Sequence, residues 1–185
     1  MGMIEHFVED ISPIDGTAFI HPRAHVSGSR IGARTKVWQF ASVIRNSHLG
    51  DDCNVGSSAT IDGAWLEDRC LVCPGAFVVP GTYIGSDVFI GPNVTICNDA
   101  WPSTCKDGFV VDALLGEFVT VEIKDGASVG ANAVVLPGVK IGRNSLVAAG
   151  AVARTNVPDN HLLGRDGSLI RIKSEWRKRR MRPAA

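Results

Sequence analysis

Aliphatic residues recur every six positions through most of the chain, each with a small residue four places further on. Val37 is answered by Ala41, Val43 by Ser47, Leu49 by Cys53 and Val55 by Ala59. The beat continues from Val72 to Ala76, Ile84 to Val88 and Ile90 to Val94, and returns with Ile123, Val129, Ile141 and Val147. Alternation at period two within a short strand sends both members of a pair to the same side and the residue between them outward. Gly, Asn and Asp between the pairs suit corners that need positive φ. A hexapeptide repeat predicts a parallel β-helix with three hexads per coil, so residues about 18 apart stack in columns. One such column is Thr35, Cys53, Cys70 and Val88. Two units are a residue short, between Val26 and Ile31 and between Ile61 and Leu66, and are read as corner deletions. A helical architecture is disfavoured, because no apolar stripe at period 3.6 is sustained.

The beat stops after Ile96 and resumes near Val121. A solenoid wall cannot absorb that many off-register residues, so the segment is expected to leave it as a loop, and long loops in compact domains are usually functional. Past Val157-Pro158 the beat dissolves again into a short β extension or turn, with a brief helix expected near Ser174 and a basic run from Arg177 to Arg180. The expected organisation is a lead-in at 1–17, a β-helix at 18–160 with its loop at about 98–120, and a C-terminal extension at 161–185.

Composition narrows the function classes. Twenty glycines and few aromatics suit a β-solenoid, and a formal net charge of +0 gives no footprint for nucleic acid. No stretch is apolar for long enough to span a membrane, and the acids among residues 1–10 do not resemble the basic start of a signal peptide. Met1-Gly2 lacks Ser or Thr at position 6, where His6 stands, so myristoylation is not expected. A cytoplasmic location is the default. Five cysteines make no disulfide framework, and Cys70-Leu-Val-Cys73 has no second C-x-x-C to complete a zinc site. The register turns Cys70 inward and leaves Cys73 at a corner.

The repeat region, about residues 18–160, resembles the left-handed β-helix acyltransferases of the hexapeptide family. Within them it is most similar to the N-acetyltransferases of nucleotide-linked 3-amino sugars used for O-antigen and S-layer glycans. The segments that carry this are Lys36-Val-Trp-Gln-Phe40, Val88-Phe-Ile-Gly-Pro-Asn-Val94, Asn98-Asp-Ala-Trp-Pro102 and Ile123 to Ala133. The resemblance implies left-handed winding, a homotrimer with intersubunit sites, acetyl-CoA along the C-terminal coils and a loop that helps to enclose the site. Two departures stand out. Leu163-Gly-Arg-Asp-Gly167 replaces the closing Asn-Pro-Ala of many relatives, and Ser42 or Val43 stands where several have a His.

Acetyl transfer to an amine needs a neutral nucleophile, donors for the tetrahedral oxyanion and two substrates held in line. None of the five histidines falls between Ile90 and Ala133, so each is read as a surface or structural group. Asn98 and Asp99 are then the best-placed polar pair: Asp99 to accept from or orient the amine, Asn98 to hold the sugar or the carbonyl. The alternative is that they only turn the chain out of the solenoid. Trp38, Phe40 and Trp101 are candidates to stack on substrate. For acetyl-CoA, the small residues Gly130, Ala131, Ala148, Ala149 and Gly150 let pantetheine approach the backbone, and Lys140, Arg143, Arg154 and Arg165 are the cations for its phosphates. No metal, nucleic acid or membrane partner is expected. The rival readings are a non-catalytic trimeric scaffold and an acetyltransferase with another acceptor. A γ-class carbonic anhydrase is disfavoured by the scattered histidines. The nucleotide, the amine position and any sugar carboxylate are not written in the sequence.

Overall fold

A computed structural model describes residues 14–100, 102 and 119–173. The chain is a parallel β-helix of the left-handed hexapeptide kind, a three-sided prism whose walls are three sheets. Sheet 1 stacks Phe19–Ile20, Lys36–Val37, Asn54–Val55, Leu71–Val72, Phe89–Ile90, Ser128–Val129, Leu146–Val147 and His161–Leu163. Sheet 2 stacks His25–Val26, Ser42–Ile44, Thr60–Asp62, Phe77–Val78, Thr95–Ile96, Val134–Val135 and Val152–Ala153. Sheet 3 stacks Arg30–Ile31, His48–Leu49, Trp65–Leu66, Thr82–Ile84, Val121–Ile123 and Lys140–Ile141. Leu169–Arg171 folds back antiparallel on His161–Leu163 and closes sheet 1, which is the β extension expected there. The helix expected near Ser174 lies outside the described residues. The beat outlasts its expected end, because Leu163 is still buried and in register with Val147.

The repeat builds this shape because each hexad supplies one large and one small inward side chain. Val37, Val55, Val72 and Ile90 form one buried column, and Leu49, Leu66, Ile84 and Ile123 another, each fully enclosed. Each such burial is worth about 1.5–3 kcal/mol. The small column runs as expected through Thr35, Cys53, Cys70 and Val88. Its polar atoms are satisfied coil to coil: Thr35 Oγ1 donates to the Gly50 carbonyl at 2.7 Å, Cys53 Sγ to Glu67 at 3.0 Å and Cys70 Sγ to Gly85 at 3.0 Å. The Cys70 thiol, bonded to Cys53 and then buried, is held well above the ordinary thiol range, so it is an inert core residue.

The three corners differ. Between sheets 3 and 1, positive φ falls on Arg34, Asp52, Arg69 and Asp87, and between sheets 1 and 2 on Phe40, Ser58, Gly75 and Asn93. Arg and Phe thus share a role expected of Gly, Asn and Asp, because the parallel ladder holds the corner from both sides. Both short units fall at the corner between sheets 2 and 3, around Gly28 and Gly63, and the same corner takes the insertion after Ile96.

Candidate active site

The corner between sheets 2 and 3 is a column of turns joined by backbone bonds. The Asn46 N–H donates to Gly28, Gly63 to Ile44, Gly81 to Gly63, Thr120 to Gly81 and Gly138 to Thr120. Thr120 therefore occupies the corner of the fifth coil, and the inserted chain leaves at Cys97 and returns at Thr120. Both ends are tied to one atom: Asn98 Nδ2 and Thr120 Oγ1 each donate to the Pro80 carbonyl at 3.3 Å. This closes the loop's mouth and sets the Asn98 amide, its nitrogen engaged and its oxygen the remaining acceptor. Asp99 follows, half-buried. The pair expected from the sequence is thus placed at the point where the solenoid opens.

Below it lies a group the sequence did not suggest. Asp62 ends its strand at this corner with a side chain only 8% exposed, and Arg45 of the preceding coil brings Nε to 2.8 Å from its Oδ1. That contact is an ion pair without a directed hydrogen bond, and Oδ1 is buried with no donor among the described residues. Burial pushes the Asp62 carboxyl above the usual carboxylate range, against the pull of Arg45. Arg45 and Asn46 both carry positive φ, where other coils place Gly28, Gly63, Gly81 or Gly138 at this corner.

The adjoining wall, the outer face of sheet 3, carries an aromatic row. His48 stacks on Trp65 with ring centroids 3.9 Å apart, and Trp65 Nε1 and Tyr83 OH both donate to Glu67 Oε1, at 2.9 and 3.0 Å. Burial and then Arg30 hold His48 below its ordinary pKa, so it is neutral near pH 7. Burial and the bond to Glu67 push Tyr83 up to about 12. Sequence reasoning did not single out this row, although a signal was present: these residues sit at one position of the repeat, 17 and 18 apart.

The expected aromatic pair is divided. Trp38 lies outside sheet 1, bonded through Nε1 to Asn54 at 2.6 Å and 5.4 Å from the Phe19 ring, whereas Phe40 stands on the corner between sheets 1 and 2, 61% exposed, with Arg23 over its ring. Trp101 lies outside the described residues. The small residues expected to admit acetyl-CoA do gather, since a Cβ on Gly130 would sit 2.5 Å from the Ala149 nitrogen and one on Gly150 3.7 Å from Arg165 Cδ. Arg165 therefore stands with Gly130, Ala131, Ala148, Ala149 and Gly150 near the corner between sheets 1 and 2. The other cations are spread. Lys140 pairs with Glu122 at 3.1 Å on sheet 3, and Arg143 pairs with Asp125 at 3.3 Å on the corner between sheets 3 and 1. Arg154 follows its strand at the loop's corner, two coils above Asn98.

Within one chain the arrangement offers an acceptor at a loop mouth, an arginine held by a buried acid below it and Arg154 above. Among the described residues no group of three His, Cys, Asp or Glu side chains converges as a metal site.

The family model for the bacterial transferase hexapeptide (six repeats) matches residues 63–98 and 120–154, stopping and restarting at the two ends of the loop. A dTDP-3-amino-3,6-dideoxy-alpha-D-galactopyranose 3-N-acetyltransferase of Aneurinibacillus thermoaerophilus is 34% identical over 157 residues, covering 85% of this chain and 78% of that protein. Two solved structures share the fold. One is the UDP-N-acetylglucosamine acyltransferase of Francisella novicida, with TM-score 0.61 at 15% identity over 91% of this chain and 74% of that one. The other is a mutant of AntD, an N-acyltransferase from Bacillus cereus, in complex with dTDP-4-amino-4,6-dideoxyglucose and Coenzyme A, with TM-score 0.54 at 14% identity over 89% and 85%. The chain belongs to the hexapeptide-repeat acyltransferases. It is an enzyme of acyl transfer, and one relative at 34% identity is an N-acetyltransferase of a dTDP-linked amino sugar.

Proposed function

We propose that the protein transfers the acetyl group of acetyl-CoA to the amine of a dTDP- or UDP-linked 3-amino sugar for cell-surface polysaccharide. In this reading residues 18–160 form the catalytic domain of a cytoplasmic homotrimer, with its active sites between subunits. The observation that carries it is a likeness of 34% identity running through 85% of the chain to a 3-N-acetyltransferase of a dTDP-linked sugar. The geometry supports it, because the loop mouth fixes Asn98 beside Asp99, where an amine would be received. AntD, with its bound nucleotide sugar and Coenzyme A, lends the fold.

The chain's residues would act as follows. The neutral amine attacks the thioester carbonyl, forming a C–N bond and a tetrahedral oxyanion. Asn98, its nitrogen held by Pro80, accepts from the amine through its oxygen, and Asp99 orients the same group. Collapse breaks the C–S bond, and the amine's proton passes to the departing CoA thiolate, so no strongly basic side chain is needed. Gly130, Ala131 and Ala148–Gly150 would admit pantetheine, with Arg165 beside them to meet a CoA phosphate, while Lys140, Arg143 and Arg154 stand on other faces of the prism. Trp38, Phe40 and Trp101 would line the acceptor side from a neighbouring subunit. Thiol release from acetyl-CoA with a panel of UDP-, dTDP- and GDP-linked amino sugars tests this reading. Turnover with one 3-amino sugar is expected. Silence across the panel, with no acetyl-CoA binding by calorimetry, would leave a scaffold.

A further inference from the structure

We infer that Arg45, aimed by the buried carboxylate of Asp62, anchors the diphosphate of the nucleotide-linked substrate; the inference rests on the function proposed above. Three observations lead to it. The corner of the second coil is built from two successive non-glycine residues at positive φ, Arg45 at 54° and Asn46 at 58°, although Gly28 and Gly63 build the same corner in the coils on either side. Arg34 and Arg69 take the same φ on another corner, so what sets this corner apart is that a long cationic side chain stands where the neighbouring coils have glycine.

The second observation is the quality of the ion pair. Arg34 and Asp52 make two bonds of 2.7 Å with both side chains solvated, as a pair that serves only itself does. Arg45 brings Nε to 2.8 Å from Asp62, and the acid has been taken out of water for a contact that leaves its Oδ1 without a hydrogen bond. A buried carboxylate so poorly satisfied is costly, and what it gives in return is orientation. The Arg45 side chain is 58% exposed, and its two Nη groups have no acceptor among the described residues. Such a fork matches a phosphate bidentately.

The third is position. Asp62 stands two coils below Asn98, about 10 Å along the axis. Between them the corner is made of Gly63, Pro80 and Gly81, and Gly63 is so close beneath Pro80 that a Cβ there would sit 3.2 Å from the proline ring. No long side chain rises from this stretch, so a hexose can lie against it. With its amine at Asn98, the diphosphate on its anomeric carbon reaches the guanidinium.

Kinetics on wild type, Arg45→Ala, Arg45→Lys and Asp62→Asn decide it, with calorimetry of dTDP, UDP and CoA on the same proteins. Arg45→Ala is expected to raise KM for the nucleotide-linked sugar at least tenfold and to weaken nucleoside diphosphate binding alike, with CoA binding unchanged. Arg45→Lys should recover only part of this, and Asp62→Asn should raise KM with kcat and melting temperature preserved. If wild type turns over a nucleotide-linked sugar and Arg45→Ala keeps its KM, the function stands and this inference falls. Weakening of CoA instead, or a KM rise confined to sugars bearing a carboxylate, would also overturn it. If wild type acetylates no nucleotide-linked sugar, the function itself has failed.

Discussion

Among the described residues four arginines pair with an aspartate of a neighbouring coil, three on one corner of this solenoid and one on another. Of the three, Arg143 meets Asp125 by a single solvated bond of 3.3 Å. On the corner between sheets 3 and 1, Arg34 meets Asp52 and Arg69 meets Asp87, each through two hydrogen bonds of 2.7–2.9 Å, with every side chain at least 43% exposed. On the corner between sheets 2 and 3, Arg45 meets an Asp62 that is only 8% exposed, by one undirected contact. The well-made pairs serve the repeat, each holding one turn over the next. The poorly made pair lies at the corner that also carries two deletions, two successive non-glycine residues at positive φ and a loop. The well-made geometry lies in water, and the costly burial lies at the corner where the site is proposed.

This contrast can be broken in several ways. The largest effect is expected at the loop mouth, where Asp99→Asn should lower thiol release by about 10²-fold, the cost of losing the orientation of the attacking amine. An unchanged rate would reduce Asn98 and Asp99 to a turn. Leu66, fully enclosed in the column that backs both corners, is expected to cost about 2–5 kcal/mol on truncation to Ala in a urea unfolding experiment. A smaller loss would mean that the corners, and not the interior, hold the coils in register.

A smaller, directional effect concerns pH. His48 is held below its ordinary value of 6.5 by burial and by Arg30, against the pull of Glu67 and Asp68. The unfolded chain therefore takes up the proton first. The neutral ring's contribution is full above pH 6.5 and is lost as pH falls through that value towards the lower folded pKa. The melting temperature should drop across this window, and His48→Phe, which keeps the stack on Trp65, should flatten the slope. The smallest effect is expected on the exposed corner: Arg69→Ala should leave both turnover and melting temperature unmoved, because such pairs are screened by solvent.

How much of this was legible follows from what each part of the repeat must satisfy. The interior was legible because a narrow prism accepts only one large and one small side chain per face, so Val37, Cys53, Leu66 and Ile90 declare themselves by period. The loop announced itself by breaking that period at Ile96, and Asn98-Asp99 by opening it. The Arg45–Asp62 pair was not legible. Asp62 follows Ile61 in a shortened unit and reads as a turn residue, and its burial depends on Arg45 from the coil before. One signal was available, since Arg45-Asn46 replaces the glycine that Gly28 and Gly63 supply one coil away. A corner turn after Trp38 carries Phe40 off sheet 1, which alternation alone does not foresee.

The most direct test is thiol release from acetyl-CoA with a dTDP-linked 3-amino sugar, measured side by side on wild type, Asp99→Asn and Arg69→Ala. The account expects equal turnover by wild type and Arg69→Ala and near-complete loss in Asp99→Asn. Equal rates in all three would contradict the placing of the chemistry at the loop corner, and no turnover by wild type with any nucleotide-linked amino sugar would contradict the proposed function.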